Sequence, residues 1–153
     1  MKNIKLTREI WFDMDGTIAD LYGVNGWLEY LINEDTKPYD CAKVLVNMSV
    51  LARLLNRLQK QGYTINIISW LSKNGSKEYN EKVIESKKNW LSKHLHSVQF
   101  DTIHIVEHGS CKWNYATDKN AILFDDEERN RSDWEGIAYD VNNIIEVLKG
   151  LPC

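Results

Sequence analysis

Four carboxylates stand out by their placement: Asp13 and Asp15 flank one residue, Asp125 and Asp126 are adjacent, and each pair follows a short apolar run. Two ionised carboxylates this close repel one another, and a cation makes the arrangement tolerable. A set of oxygen-only ligands favours a hard ion such as Mg²⁺, held by one or two carboxylates with waters and a substrate phosphate. Asp13, Asp15, Asp125 and Asp126 are therefore the candidate metal ligands. Gly16 and Thr17 follow the first pair directly. A glycine there permits a tight turn whose backbone N–H groups can face a phosphate, so both residues are candidates for substrate binding. Simpler accounts exist: a solvated turn with Asx-type bonds for Asp13 and Asp15, and an acidic helix cap for Asp125 and Asp126. The cap is compatible with metal binding. The solvated turn fits poorly with an apolar strand that runs straight into the carboxylates.

The elements that must position these groups can be read from hydrophobic pattern. Residues 9–13, 64–69, 103–106, 121–124 and 137–139 are short, apolar and largely β-branched or aromatic, and are expected to be strands. Helices are expected over 44–61, 76–95, 112–116, 127–134 and 142–148. Alternating strands and helices predict an α/β fold: a three-layer, Rossmann-like parallel sheet with helices on both faces. In such sheets functional groups gather at the carboxyl ends of the strands. Asp13, Ser69 and Asp125 each end a predicted strand, and Lys112 opens a helix after Gly109-Ser110-Cys111, so one sheet edge should collect all four. Lys119 also precedes Asp125 and competes for the basic role, but it sits in the turn just before a strand. Trp70, Lys73 and Asn74 follow Ser69 and are expected at the substrate entrance; Tyr22 and Trp27 are candidates to line it from the flap, with core packing an equal account of Trp27, and a position off the site is the favoured account of His108. His94-x-His96 lacks a nearby third ligand and reads as a surface helix end rather than a zinc site.

A chain of 153 residues fits a single domain spanning 1–153. Its 43% hydrophobic and 27% charged residues are ordinary for a globular protein. With a net charge of −3 there is no basic surplus, which counts against a dedicated nucleic-acid binder. The cysteines Cys41, Cys111 and Cys153 are odd in number, far apart and without a Cys-x-x-Cys, so a disulfide framework or zinc ribbon is not expected. Residues 1–9 lack the apolar stretch of a signal peptide and no run has the length of a membrane span, so the expected location is cytoplasmic, without a membrane partner. No feature of the sequence specifies an oligomeric state.

Asp13-Met14-Asp15-Gly16-Thr17 resembles the first motif of the haloacid dehalogenase-like phosphohydrolases, in its D-x-D-G-T form. Ser69 resembles that family's second motif, Lys112 its third and Asp125-Asp126 its fourth, in the family's order from residue 13 to residue 126. The first match is specific by itself; the other three gain weight from their order. The resemblance implies that Asp13 attacks phosphorus and forms an aspartyl-phosphate. It implies that Asp15 protonates the leaving oxygen and then activates water. Ser69 would bond a phosphoryl oxygen and Lys112 would neutralise charge. Mg²⁺ would be held by Asp13, the Asp15 backbone carbonyl and Asp125, with Asp126 direct or through water. The segment 18–43 is too short for a large cap and fits a flap with one short helix near residues 27–32, hence an open site. The expected substrate is a small phosphorylated metabolite such as a nucleoside monophosphate, by analogy with 5′-nucleotidase-type members. A nucleic-acid 3′-end phosphatase is the alternative enzyme, less favoured for want of a basic stripe. A receiver-like phospho-acceptor domain is the non-catalytic alternative, but there the phosphorylated Asp lies on a later strand than the acidic pair and the lysine comes last.

Overall fold

Residues 8–152 are described by the structure, a computed structural model; residues 1–7, which include most of the stretch read for a signal peptide, and Cys153 lie outside them. Five strands form one parallel sheet in the order β5-β4-β1-β6-β7. They are β1 (Arg8–Phe12), β4 (Tyr63–Trp70), β5 (Thr102–Val106), β6 (Ile122–Phe124) and β7 (Ile137–Tyr139). The expected α/β architecture is borne out. β1 is central, with Phe12 opposite Ile67 of β4 and Phe124 of β6. Both faces of the sheet are covered, so its inner strands are almost continuously apolar instead of alternating. Of the buried polar residues in β4, Asn66 is satisfied within the sheet: it donates to Ile10 O (3.2 Å) and Thr64 Oγ1 (3.0 Å) and accepts from Thr102 Oγ1 (2.7 Å).

The strand period of two divides β1 between two cores. Ile10 and Phe12 enter a large cluster with Leu51, Leu55 and Leu58 of α3 (Met48–Lys60), Trp90 and Leu91 of α4 (Lys77–His94), and Ile144 and Leu148 of α6 (Ile144–Lys149). Trp11 points the other way, to Ile68, Leu123 and Trp134, the last at the end of α5 (Glu128–Asp133). A 3₁₀ turn over Lys112–Tyr115 covers this second face beside α5. Each fully buried Leu or Phe of these clusters contributes about 1.5–3 kcal/mol relative to exposure.

The helix expected over 44–61 starts later. Residues Lys43–Val44 are instead strand β3, antiparallel to β2 (Ala19–Asp20), and Leu45 N–H donates to Ile18 O at 2.9 Å. Asn47 then caps α3 by accepting from Val50 N–H (3.2 Å), and Gly62 follows its end at φ +101°. A non-local strand pair thus captures the first residues of the apolar run.

The β2–β3 pair closes the base of a flap that carries α1 (Trp27–Ile32), at the expected place, and a second short helix, α2 (Lys37–Cys41). α1 has no buried residue, whereas α2 buries Pro38 and Tyr39. The flap is tied to α4: Glu34 accepts from Ser76 N–H (2.7 Å) and Ser76 Oγ (2.9 Å), and Tyr79 Oη donates to Asp35 O (2.9 Å). Among the described residues no helix is long and apolar enough to cross a membrane.

Candidate active site

Where β1 ends, Asp13 N–H still donates to Phe124 O (3.0 Å), so the first carboxylate is fixed by the sheet itself. The chain then turns sharply. Gly16 takes φ +82°, and a Cβ there would collide with the Asp126 carboxylate, so the position requires glycine twice over. Gly16 N–H donates to Ala19 O (2.8 Å) and Thr17 N–H to Met14 O (3.1 Å). These two amides, read from the sequence as facing a phosphate, bond within the tight turn. The Thr17 hydroxyl donates to Asp13 Oδ2 (2.8 Å) and accepts from Asp126 N–H (3.2 Å), locking the two acidic loops together.

Lys112, only 3% exposed, spans the same loops from the third side: Nζ lies 2.8 Å from Asp13 Oδ1 and 2.7 Å from Asp125 Oδ2. Two of its three N–H donors are thereby used, and its side chain lines the cavity beside the Trp70 ring, 5.3 Å from the ring centre. Lys119 is exposed at the opposite, amino end of β6. Asp125 is further held by Glu127 N–H on Oδ1 (2.9 Å) and Asn130 Nδ2 on Oδ2 (3.1 Å).

Asp13, Asp125 and Asp126 offer carboxylate oxygens within 4.8 Å of one another. Against these three charges stands Lys112. Burial, with the Asp13 charge second, pushes the Asp125 carboxyl up to about 6 and the Asp126 carboxyl up to about 8. Burial works against the charge on Lys112, but Asp13 and Asp125 outweigh it and hold the amine above its usual range. An oxygen-only donor set with surplus negative charge fits a hard dication such as Mg²⁺.

Asp15 is placed differently from its partner. Its carboxylate turns away from the three clustered acids to Lys87, whose Nζ lies 3.0 Å from Oδ2. Any part Asp15 has in the metal site therefore falls to its backbone carbonyl. Burial raises the Asp15 carboxyl above the ordinary range; Lys87 opposes this and Asp13 adds to it.

Ser69 also meets Lys87. It is fully buried, accepts from Lys87 Nζ at 2.7 Å, and lies beneath the residues that line the cavity. The strand runs one residue further than expected, so Trp70, not Ser69, stands at the rim. Lys87 was absent from the expected site because it reads as one of the charges spaced along α4. Its signal was its register: Val83, Lys87, Trp90 and Leu91 share one buried stripe.

Above the floor opens a cavity of about 530 Å³, within the usual range for small-molecule sites. Trp70, Lys73, Asn74 and His108 line one side, with His108 packed against Trp70 at 4.7 Å between ring centres. Tyr22, Trp27, Leu28, Leu31 and Ile32 of the flap form the other side. The Tyr22 and Trp27 rings meet edge to face at 4.9 Å. His94 packs on Trp90 (4.5 Å), outside this site.

No family model matches this sequence, and no curated protein matches it by sequence. Its fold is similar to that of a solved structure, the D,D-heptose 1,7-bisphosphate phosphatase from Burkholderia thailandensis. The two share 16% sequence identity with a TM-score of 0.51, over 82% of this chain and 70% of that one.

Proposed function

We propose that this protein is a Mg²⁺-dependent phosphomonoesterase working through an aspartyl-phosphate on Asp13. The observation that carries the reading is the separation of two carboxylates only two residues apart. Asp13 is fixed by Lys112 and Thr17 among the clustered acids, while Asp15 is turned to a different lysine. Asp13 thus stands among the candidate metal ligands as the nucleophile, while burial, which raises the Asp15 carboxyl, suits Asp15 to carry the proton. The shared fold with a phosphatase and the resemblance of the Asp13–Thr17 segment to phosphohydrolase motifs support it.

In the proposed reaction an Asp13 carboxylate oxygen attacks phosphorus as the bond to the leaving oxygen breaks. Asp15 delivers its proton to that oxygen. Water then attacks the phosphorus of the aspartyl-phosphate, Asp15 takes the water's proton, and Asp13 is released with inorganic phosphate. Lys112 offsets negative charge between Asp13 and the phosphoryl group throughout. Asp13, Asp125 and Asp126 would hold Mg²⁺, which supplies charge neutralisation for the phosphate dianion. Ser69, beneath the surface, contributes to the buried polar layer and not to substrate contact.

The substrate we favour is a small phosphate ester with a flat or apolar leaving group, such as a nucleoside monophosphate. The cavity is sized for it and the flap offers aromatic and aliphatic wall. Exposed Lys73 is balanced at the rim by Glu34 and Glu127, which does not favour a nucleic-acid strand. Phosphate release should be measured over nucleotides, sugar phosphates and 3′-phosphorylated oligonucleotides, with Mg²⁺ and with EDTA. Mg²⁺-dependent release from a nucleotide supports the reading; release that persists undiminished in EDTA contradicts it.

A further inference from the structure

Lys87 is a buried lysine that the expected four-motif chemistry leaves without a task. It is 1% exposed and sits near the middle of α4, on the stripe that packs toward the sheet. Its three N–H donors meet three acceptors: Asp15 Oδ2 (3.0 Å), Ser69 Oγ (2.7 Å) and Trp70 O (2.6 Å). The Tyr39 ring lies 5.1 Å from the amine. An ammonium has three donors and no acceptor, so this set is complete. Lys87 therefore has no donor left for a phosphoryl oxygen, unlike Lys112, which keeps one and lines the cavity.

We infer that Lys87 is the positioning residue for the proton donor. It fixes the Asp15 carboxyl by Oδ2 and leaves Oδ1 as the oxygen that meets the leaving group. Two features support this beyond the contact itself. First, burying an ammonium is unfavourable unless it is fully paired, and an apolar residue at this point of the stripe would pack with less penalty. Second, the same amine grips the end of β4 through Ser69 and Trp70, so the acid is referenced to the sheet and not only to its own flexible side chain. Without Lys87 the carboxyl is free to rotate and to offer its proton in unproductive directions.

The inference rests on the phosphatase reading, and the test separates the two. kcat/KM, which reports steps through departure of the leaving group, is measured with p-nitrophenyl phosphate and with phenyl phosphate. Phenol is the poorer leaving group and needs the proton more. For Lys87→Met the loss with phenyl phosphate is expected to exceed the loss with p-nitrophenyl phosphate by at least about 10-fold, within the 10²–10⁴-fold range of general acid catalysis. Lys87→Arg, which keeps charge and reach, should recover part of the phenyl phosphate rate. In an Asp15→Asn background, Lys87→Met should cause little further loss, because the two act on one step.

Equal losses on both esters, or a full additional loss in the Asp15→Asn background, would overturn the assignment. If Lys87→Met does not fold, the Arg variant carries the same comparison: a loss independent of leaving group refutes positioning. A wild-type protein that releases phosphate neither from these esters nor from the nucleotides, sugar phosphates and oligonucleotides above would instead remove the phosphatase reading, and this inference with it.

Discussion

The floor of the cavity and the flap above it are built on opposite rules. On the floor, Asp13, Lys112 and Asp125 are nearly inaccessible, and each is held by at least two protein hydrogen bonds or ion-pair contacts. Their positions follow from strand ends whose register is set by the sheet. The α1 segment of the flap has no fully buried residue, and Leu28 and Ile32 are 53% and 70% exposed. Its apolar contacts are non-directional, so their strength follows area more than angle. A displacement of about 1 Å on the floor is expected to cost about 10²-fold in rate, whereas the flap can shift by as much and still cover a substrate. On the proposed reading, chemistry falls to the tightly held floor and selectivity to the more exposed flap.

Four substitutions or conditions probe that contrast, in falling order of effect. Asp13→Asn should bring phosphate release close to background, a loss of at least about 10⁴-fold on the scale seen when a nucleophile is removed. Its thermal unfolding should remain cooperative; turnover near the wild-type level would show that another group attacks. Gly16→Ala introduces a Cβ into the Asp126 carboxylate at a positive φ. It should lower kcat/KM by about 10²-fold and weaken Mg²⁺ activation, both read from a Mg²⁺ titration of activity. On the flap, Leu28→Ser with Ile32→Ser should raise KM about 10-fold for a nucleotide while kcat changes little, the pattern of lost uniform binding. A fall in kcat equal to the rise in KM would mean that the flap takes part in the chemistry.

The fourth concerns pH. The Asp125 and Asp126 carboxyls are raised, to about 6 and about 8, above their ordinary value of 3.8. The folded state then binds protons more tightly than the unfolded one. The associated stability is full below the ordinary value and is lost as pH rises through the raised ones. Metal-free protein should therefore melt at progressively lower temperature between about pH 5 and pH 9, and saturating Mg²⁺ should flatten the decline. A melting temperature that climbs over this interval without metal would contradict the charge surplus assigned to the floor.

Much of this arrangement was legible in the sequence, for a physical reason. A parallel strand buried on both faces is a continuous apolar run, and the residue that ends it is placed at the functional edge almost by necessity. Asp13 and Asp125 are located by that logic, and Lys112 by the turn preceding it. What was not legible depended on distant partners. Residues 44–46 share the apolar character of α3, yet Val44 pairs with Ala19. Ser69 lies at a strand end in either reading, but one additional residue of strand and the amine of Lys87 place it under the surface. Lys87 itself looks like a surface charge until its helical register with Val83 and Leu91 is taken into account. Asn130 shows the same limit: its amide reaches Asp125 only because α5 folds back over the strand end.

Helix α4 links these parts along a single rod. Near its start Ser76 and Tyr79 hold the flap through Glu34 and Asp35, and further along Lys87 holds Asp15. Tyr79 and Lys87 are separated by about 12 Å of helix at 1.5 Å per residue. One residue inserted or deleted between them would rotate Lys87 by about 100° relative to the flap ties, turning the amine out of its pocket. Related chains should therefore differ in length before Ser76 or beyond His94, and hold the count between Ser76 and Lys87 fixed.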